Sequence, residues 1–413
     1  MNSTHRISLF LPAALVVALG ADPGAARADT QWTFGGFGTL SAVHSTETQA
    51  DYTASQIARG SAGYSRDWAF DVDSRLGAQL GAQFDKHWSA VAQVIEERAA
   101  DAAYRPRVEW AYVKYQVTPE LSVRAGRIAL PLFLAADYRK ASYALPWVRT
   151  PVELYILMPI SNSDGVDASL RWNGWGTKQE TQAIVGRSAM RLGGNVPGKS
   201  ENVLGLTHTA TVGALTLRGT VAQAHLKVDE ARPYFDTFRA FGPAGRALAE
   251  RYDFTSRRVY VLSAGFNYDP GRWFLMGEVG RVDTRALLGD QTGGYLSGGW
   301  RLGSVTPYVT YAQVENNMET SSPGVPAAGL PPAAARTAQQ LNAGLNSWLA
   351  SNAEQRTASA GMRWDFAPNY AFKLQLDRVR PHGGTSGTLT NVQPGYRIGH
   401  PFGVASVAID FVF

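Results

Sequence analysis

Six histidines lie beyond residue 28: His44, His87, His208, His225, His382 and His400. None stands in the H-x-x-x-H or Cys/His spacing that gathers a metal ion. The chain has no cysteine, so thiolate ligands and a disulfide framework are both excluded. No G-x-S-x-G elbow offers a nucleophilic serine. The sequence therefore predicts no enzyme, no cofactor and no metal. What remains is charge at regular spacing. Asp71, Asp73 and Arg75 alternate with Phe70, Val72, Ser74 and Leu76, so charges and apolar groups fall on opposite faces of an extended strand. In a soluble protein that is a solvated face. On the inner wall of a closed sheet the same groups line a water-filled bore, where fixed charge beside low-dielectric walls selects ions.

The elements that would position these charges follow from the same alternation. From Trp68 to Phe84 apolar and polar residues alternate over seventeen positions. That exceeds the usual globular strand of about five or six residues and the roughly 9–11 a tilted strand needs to cross a bilayer. Two-sided stretches return at Gly165–Trp172, Leu215–Ala222, Val259–Tyr268, Thr357–Phe366 and Ala371–Asp377. Their polar faces supply further lumen candidates: Asp167, Arg171, Arg218, Arg363 and Lys373, to be read with Asp71 and Asp73.

Short turns are expected at Asp85–His87, Thr118–Glu120, Asn173–Gly176, Gly213–Ala214, Asp269–Arg272, Gly303–Ser304 and Ala367–Asn369. Four are flanked by aromatics: Phe84 and Trp88, Trp172 and Trp175, Tyr268 and Trp273, Phe366 and Tyr370. An aromatic beside each tight turn suits a membrane interface. Longer connections are expected near Thr46–Ser65, Ala99–Pro106, Ala129–Ser163, Ser188–Glu201, Lys227–Arg257, Asp283–Gly293, Glu315–Ala353 and Arg380–Pro401, with short helices across Tyr234–Tyr252 and Ala334–Leu349. Seven turns and eight longer connections give sixteen strands, all antiparallel, in one domain. The fold class is an all-β transmembrane barrel.

Both chain ends fit. Met1–Ser8 carries Arg6 and no acid, Leu9–Ala21 is apolar, and Ala26-Arg27-Ala28 is an A-x-A site. This order predicts a secretory signal peptide over 1–28 and a mature domain over 29–413. No apolar run beyond it is long enough for a membrane helix; Ile128–Ala136 is broken by Pro131. At the other end, Ala405, Val407, Ile409, Phe411 and Phe413 form a greasy face opposite Asp410. The terminal Phe413 is expected at the short-turn rim, near Trp32. Net charge is small: removing Arg6, Arg27 and Asp22 takes 39 minus 34 to 37 minus 33, or +4. That is too little for a nucleic-acid partner and hints at anion preference in a pore.

The third long connection is unusual. It holds the run Ala129-Leu-Pro-Leu-Phe-Leu134, then Asp137-Tyr-Arg-Lys140, then Pro146-Trp-Val-Arg-Thr-Pro-Val-Glu153. A loop folded back into the bore explains both its anchors and its charges. Asp137, Arg139, Lys140, Arg149 and Glu153 would then narrow the passage. An exposed loop at a subunit contact is the alternative.

The chain resembles the Gram-negative outer-membrane porins of the sixteen-stranded general type along its whole mature length. The resemblance rests on Phe34-Gly-Gly-Phe-Gly-Thr-Leu40, Val123-Arg-Ala-Gly-Arg127, Asn162-Ser-Asp-Gly165 and the terminal Phe413. The Pro-Glu-Phe-Gly-Gly motif of the enterobacterial members is absent. The resemblance implies a homotrimer in outer-membrane lipid and a third loop folded into the pore. It also implies Asp137 and Glu153 facing arginines such as Arg75 and Arg124. The expected function is passive diffusion of small hydrophilic solutes and ions. A channel specific for substrates such as organic acids, a plugged adhesin or structural surface protein, and an outer-membrane hydrolase are the alternatives.

Overall fold

The computed structural model describes residues 15–16, 30–55, 58–99, 103–192 and 196–413. Apart from Leu15 and Val16, the expected signal peptide lies outside them. Sixteen long strands occupy the described residues: β1 Gln31–Ser45, β2 Arg75–Gln83, β3 Trp88–Arg98, β4 Tyr104–Gln116, β5 Leu121–Ala129, β6 Asn162–Gly174, β7 Thr177–Leu192 and β8 Val196–Val212. The second half comprises β9 Leu215–Lys227, β10 Ser256–Tyr268, β11 Trp273–Asp283, β12 Asp290–Trp300, β13 Val305–Asn316, β14 Gln355–Ala367, β15 Tyr370–Pro381 and β16 Phe402–Val412. Each is antiparallel to the next in sequence, and β1 pairs with both β2 and β16. The sheet closes on itself, so these strands leave no long edge of unpaired backbone groups.

Alternation decides which way each side chain points. Leu40, Leu262 and Val309 are more than half exposed, while their neighbours Thr39, Ser263 and Thr310 are buried. An apolar face turned outward and a polar face turned inward reverses the arrangement of a soluble sandwich. No described helix is long and apolar enough to cross a membrane. All seven expected turns join consecutive strands. Trp172 meets Trp175 at 5.7 Å between ring centroids, Tyr268 meets Trp273 at 5.2 Å and Phe366 meets Tyr370 at 6.1 Å, whereas Trp88 packs on Tyr115 at 4.6 Å.

Three expectations are corrected. The alternation over Trp68–Phe84 is not one strand. Ala69 pairs with Val43 and Arg75 with Thr39, so five residues of one chain face three of the other, a bulge that frees Asp71 and Asp73 to reach inward. The connection expected over Ser188–Glu201 is mostly strand, because β7 and β8 go on pairing from Ser188↔Ser200 to Leu192↔Val196. Phe413 lies opposite Gly36 rather than Trp32. Their main chains exchange hydrogen bonds of 2.8 and 3.0 Å, and the terminal ring packs against Phe34 at 6.0 Å.

The long connections gather at the other rim. Asp51–Tyr52, Ala62–Gly63 and Leu389–Thr390 form a small sheet there. The connection after β9 carries helices α1 Arg232–Arg239 and α2 Gly242–Tyr252, and the one after β13 carries α3 Pro332–Ala350. These are the two helical stretches the sequence expected. One apolar cluster joins Phe235 and Phe238 of α1 and Leu341 and Leu345 of α3 to Phe133 and Leu154 of the third connection.

Candidate functional site: the loop inside the barrel

Residues 130–161 connect β5 to β6, and inward-facing side chains from ten strands hold them. Thr207 of β8 donates to the Pro131 carbonyl at 2.9 Å, Arg218 of β9 to that of Phe133 at 3.0 Å and Ser263 of β10 to that of Leu132 at 2.6 Å. The Leu134 amide donates to Glu278 of β11 at 2.8 Å. Further along, Trp147 Nε1 donates to Ser297 of β12 at 2.9 Å and Thr310 of β13 at 3.0 Å. Lys373 of β15 reaches the Ser142 and Trp147 carbonyls at 2.6 and 2.8 Å. The loop therefore lies inside the barrel and crosses it, ending the choice between an inward and an exposed loop.

Its sequence explains the path. Leu130, Leu132 and Phe133 are buried against the wall, while the carbonyls of Pro131, Leu132 and Phe133 take the wall's hydroxyls and guanidinium. The wall leaves room for the loop at glycine. An added Cβ at Gly293 would fall on the Glu153 carbonyl oxygen and within 3.3 Å of Leu154 Cα.

Arg149 is the strongest anchor. Its guanidinium binds Asp73 in a fork, Nη2 at 2.6 Å and Nε at 3.0 Å, Asp377 at 3.2 Å and Ser406 at 2.6 Å. It also lies over the Tyr52 ring, 5.5 Å from its centroid. Burial alone would lower its proton affinity; the Asp73 carboxylate and its other partners outweigh that and hold it charged, well above the ordinary arginine range. Glu153 is buried and accepts from Gln355 at 2.7 Å and from Thr357. Burial is the largest influence on its carboxyl and raises its pKa.

A glutamate whose folded pKa is raised contributes stability that is fully present below its unfolded pKa and lost as pH rises through the folded value. The thermal midpoint of the purified barrel should thus fall as pH rises just above the ordinary glutamate range. Glu153→Gln should remove that part of the slope. Equal slopes in both proteins would reject this role for Glu153.

The other sequence candidates are placed as follows. Asp137 is half exposed, with Arg218 3.8 Å away. Arg139 is turned into the loop itself, donating to the Ile160 carbonyl at 2.9 Å. Lys140 pairs with Glu97, and burial lowers its pKa. Arg75 is 3.9 Å from Glu97. Arg124 forms a fork with the buried Asp167, 2.5 Å at the shortest. The implied facing is corrected for Glu153, which meets Gln355 and Thr357; Arg75 and Arg124 are each matched by an acid from a strand, while Asp137 stays close enough to Arg124 to act on it through charge. Asp71 is 3.4 Å from Arg98, Arg363 pairs with Asp365 at 2.7 Å, and Lys373 pairs with Asp410 at 2.7 Å with both side chains fully buried. Arg171 is largely exposed, 3.2 Å from Glu180. Sequence reasoning missed Glu97, Glu278 and Asp377. Each is an acid at an inward position, the one signal that could have found them.

On the long-connection side of the loop, an open recess is lined by Arg59, Arg75, Arg98, Arg139, Lys140 and Arg149, with Asp71, Asp73 and Glu97. Six cations against three acids leave a formal excess of +3 there.

No protein-family model matches the sequence, and no curated protein matches it. Solved structures do. OmpF of Salmonella typhi, in complex with daunomycin, is 12% identical with a TM-score of 0.54, covering 93% of this chain and 98% of its own. The anion-selective porin from Comamonas acidovorans is 12% identical at 0.53, covering 93% and 100%. The outer membrane channel DcaP of Acinetobacter baumannii is 10% identical at 0.53, covering 94% and 99%. The chain has the sixteen-stranded fold of the outer-membrane porins.

Proposed function

We propose that this porin-fold barrel resides in the bacterial outer membrane as a water-filled channel through which small hydrophilic solutes and ions diffuse down their gradients. The observation that carries this reading is the loop 130–161, bound across the inside of a closed barrel whose outer face is apolar. A wall turned greasy side out has lipid as its solvent. A loop laid across the bore narrows it, and its residues set what passes. Asp137, Arg139 and Lys140 belong to that constriction; Arg149 and Glu153 hold it in place. No covalent step is needed. Export through a cleaved leader over 1–28 and packing as a homotrimer belong to the same proposal, and the porin resemblance supports them.

The charge of the recess favours anions, since low-dielectric walls focus the field of six cations over three acids. The same recess favours a second reading, a channel selective for small organic acids. Purified protein added to a planar bilayer should give discrete conductance steps, and under a salt gradient its reversal potential should report anion preference. Silence over repeated insertions would reject the channel. Saturable flux of a carboxylate solute would favour the selective form.

Removing two recess charges tests the selectivity. Arg59→Gln with Lys140→Gln lowers the formal excess from +3 to +1, and the reversal potential should move towards the value of an unselective pore. An unmoved reversal potential would show that selection happens elsewhere in the bore.

A further inference from the structure

Three neighbouring strands bring a histidine and two glutamates together at the long-connection rim. Glu315 is the penultimate residue of β13, Glu354 immediately precedes β14, and His382 immediately follows β15. Their ligand atoms all lie within 4.8 Å of one another. His382 Nε2 is 3.5 Å from Glu315 Oε1, and Nδ1 is 3.5 Å from Glu354 Oε2. Nε2 is nonetheless buried without a hydrogen-bond partner. A buried imidazole nitrogen facing a carboxylate, outside hydrogen-bond geometry, leaves a place for something other than a proton.

We propose that Glu315, Glu354 and His382 bind one divalent transition-metal ion of the Zn²⁺ type, closing the connection that carries α3 onto the connection between β15 and β16. One nitrogen and two carboxylate oxygens form a donor set that suits a borderline ion better than Ca²⁺ or Mg²⁺, which take oxygen ligands. Taking one ligand atom from each residue, and so a single ring nitrogen, the three lie within 4.8 Å of one another, and zinc bonds of about 2.0–2.2 Å require them to draw in slightly around the ion. The fourth position is open to water.

The site is organised by its backbone. The His382 amide donates to the Glu354 carbonyl at 3.0 Å, and the Thr385 hydroxyl bonds the His382 carbonyl at 3.1 Å. Gly383, at φ +64°, leaves the space occupied by the Glu354 carboxylate, which any Cβ there would overlap. Thr320 ties the Gly383 carbonyl to the other connection at 2.9 Å. Other polar groups face the cluster. Gln313 donates to Glu315, and Arg356 lies 3.5 Å from it, offsetting part of its charge. A bound cation would offset the charge of the two carboxylates that meet there. The residues are far apart in sequence, which is why no motif revealed them.

The test is calorimetric titration of tag-free, detergent-solubilised barrel with Zn²⁺, and with Ca²⁺ for comparison. The expected result is one Zn²⁺ per chain, with affinity weakened by more than about tenfold in His382→Ala, unchanged in His400→Ala, and weaker for Ca²⁺. Glu315→Gln with Glu354→Gln provides an independent variant should His382→Ala fail to give the compact barrel on unheated SDS gels. Zn²⁺ binding that survives both variants, or is lost with His400→Ala, would overturn the site. Absence of Zn²⁺ binding to the unaltered protein would also overturn it.

Discussion

Arg149→Ala is expected to release the middle of the internal loop, giving a channel of higher and noisier conductance than the unaltered protein. The guanidinium is nearly inaccessible, as are the carboxylates of Asp73 and Asp377 that it joins. Removing one partner of a buried ion pair costs on the order of 3–5 kcal/mol, because the other charge stays buried without compensation. Here two acids would be left near each other, and Ser406 would lose a charged donor. Their cheapest escape is hydration, with water entering where the loop now lies. Single-channel recording is the direct measurement, supported by limited trypsin digestion at Arg139 and Lys140. Identical conductance, noise and digestion would show that the remaining anchors suffice. Arg149→Lys should be intermediate, since an ammonium cannot span Asp73 and Asp377 with a planar fork.

Gly293→Val should displace the same loop from its other end by a different cause. The Glu153 carbonyl and the Leu154 backbone lie against the Gly293 Cα, and backbone cannot yield as a flexible side chain would. Overpacking typically costs about 1–3 kcal/mol, and here that cost falls on Val152–Tyr155, the short helical turn carrying Glu153. The bonds from Gln355 and Thr357 to Glu153 would be strained or lost. The barrel itself should survive, because valine suits a strand. Compact migration on unheated gels combined with raised conductance is the expected pair of results. Compact migration with unchanged conductance would mean that the loop's fit to this wall does not control the opening.

The barrel was legible because its code has period two. Leu262 outward and Ser263 inward are adjacent letters, and tight turns such as Gly213–Ala214 announce themselves by composition. Helix positions in the long connections were legible for the same local reason. What failed was whatever depends on partners distant in sequence. Asp71 and Asp73 were recognised as inward charges, but the bulge that lets them turn towards Arg98 and Arg149 depends on how β1 pairs across Phe70–Ser74. Ser188–Leu192 reads as part of a connection because Gly193, Gly194, Asn195, Pro197 and Gly198 signal turns, yet the pairing continues to Val196. By sequence Arg149 reads as a pore charge. Its burial follows from Asp73, Asp377 and Ser406, which come from three places in the chain and meet only after closure. By sequence Glu153 reads as an acid facing cations; Gln355 and Thr357 receive it instead.

The seam between β1 and β16 has a kinetic meaning. Thr39 donates to Asp410 across 371 residues at 2.6 Å, and the last residue of the chain pairs with Gly36. Neighbouring hairpins can form as soon as both strands exist, since the segments they close are short. The seam joins strands far apart in sequence, and until β16 meets β1 both carry an unpaired edge. Each doubling of a closing loop adds only about 0.6 kcal/mol of entropy, so distance alone is a modest obstacle. Pairing is the larger one: the barrel closes only when β1 and β16 meet, and until they do β1 presents an edge that could pair with something else.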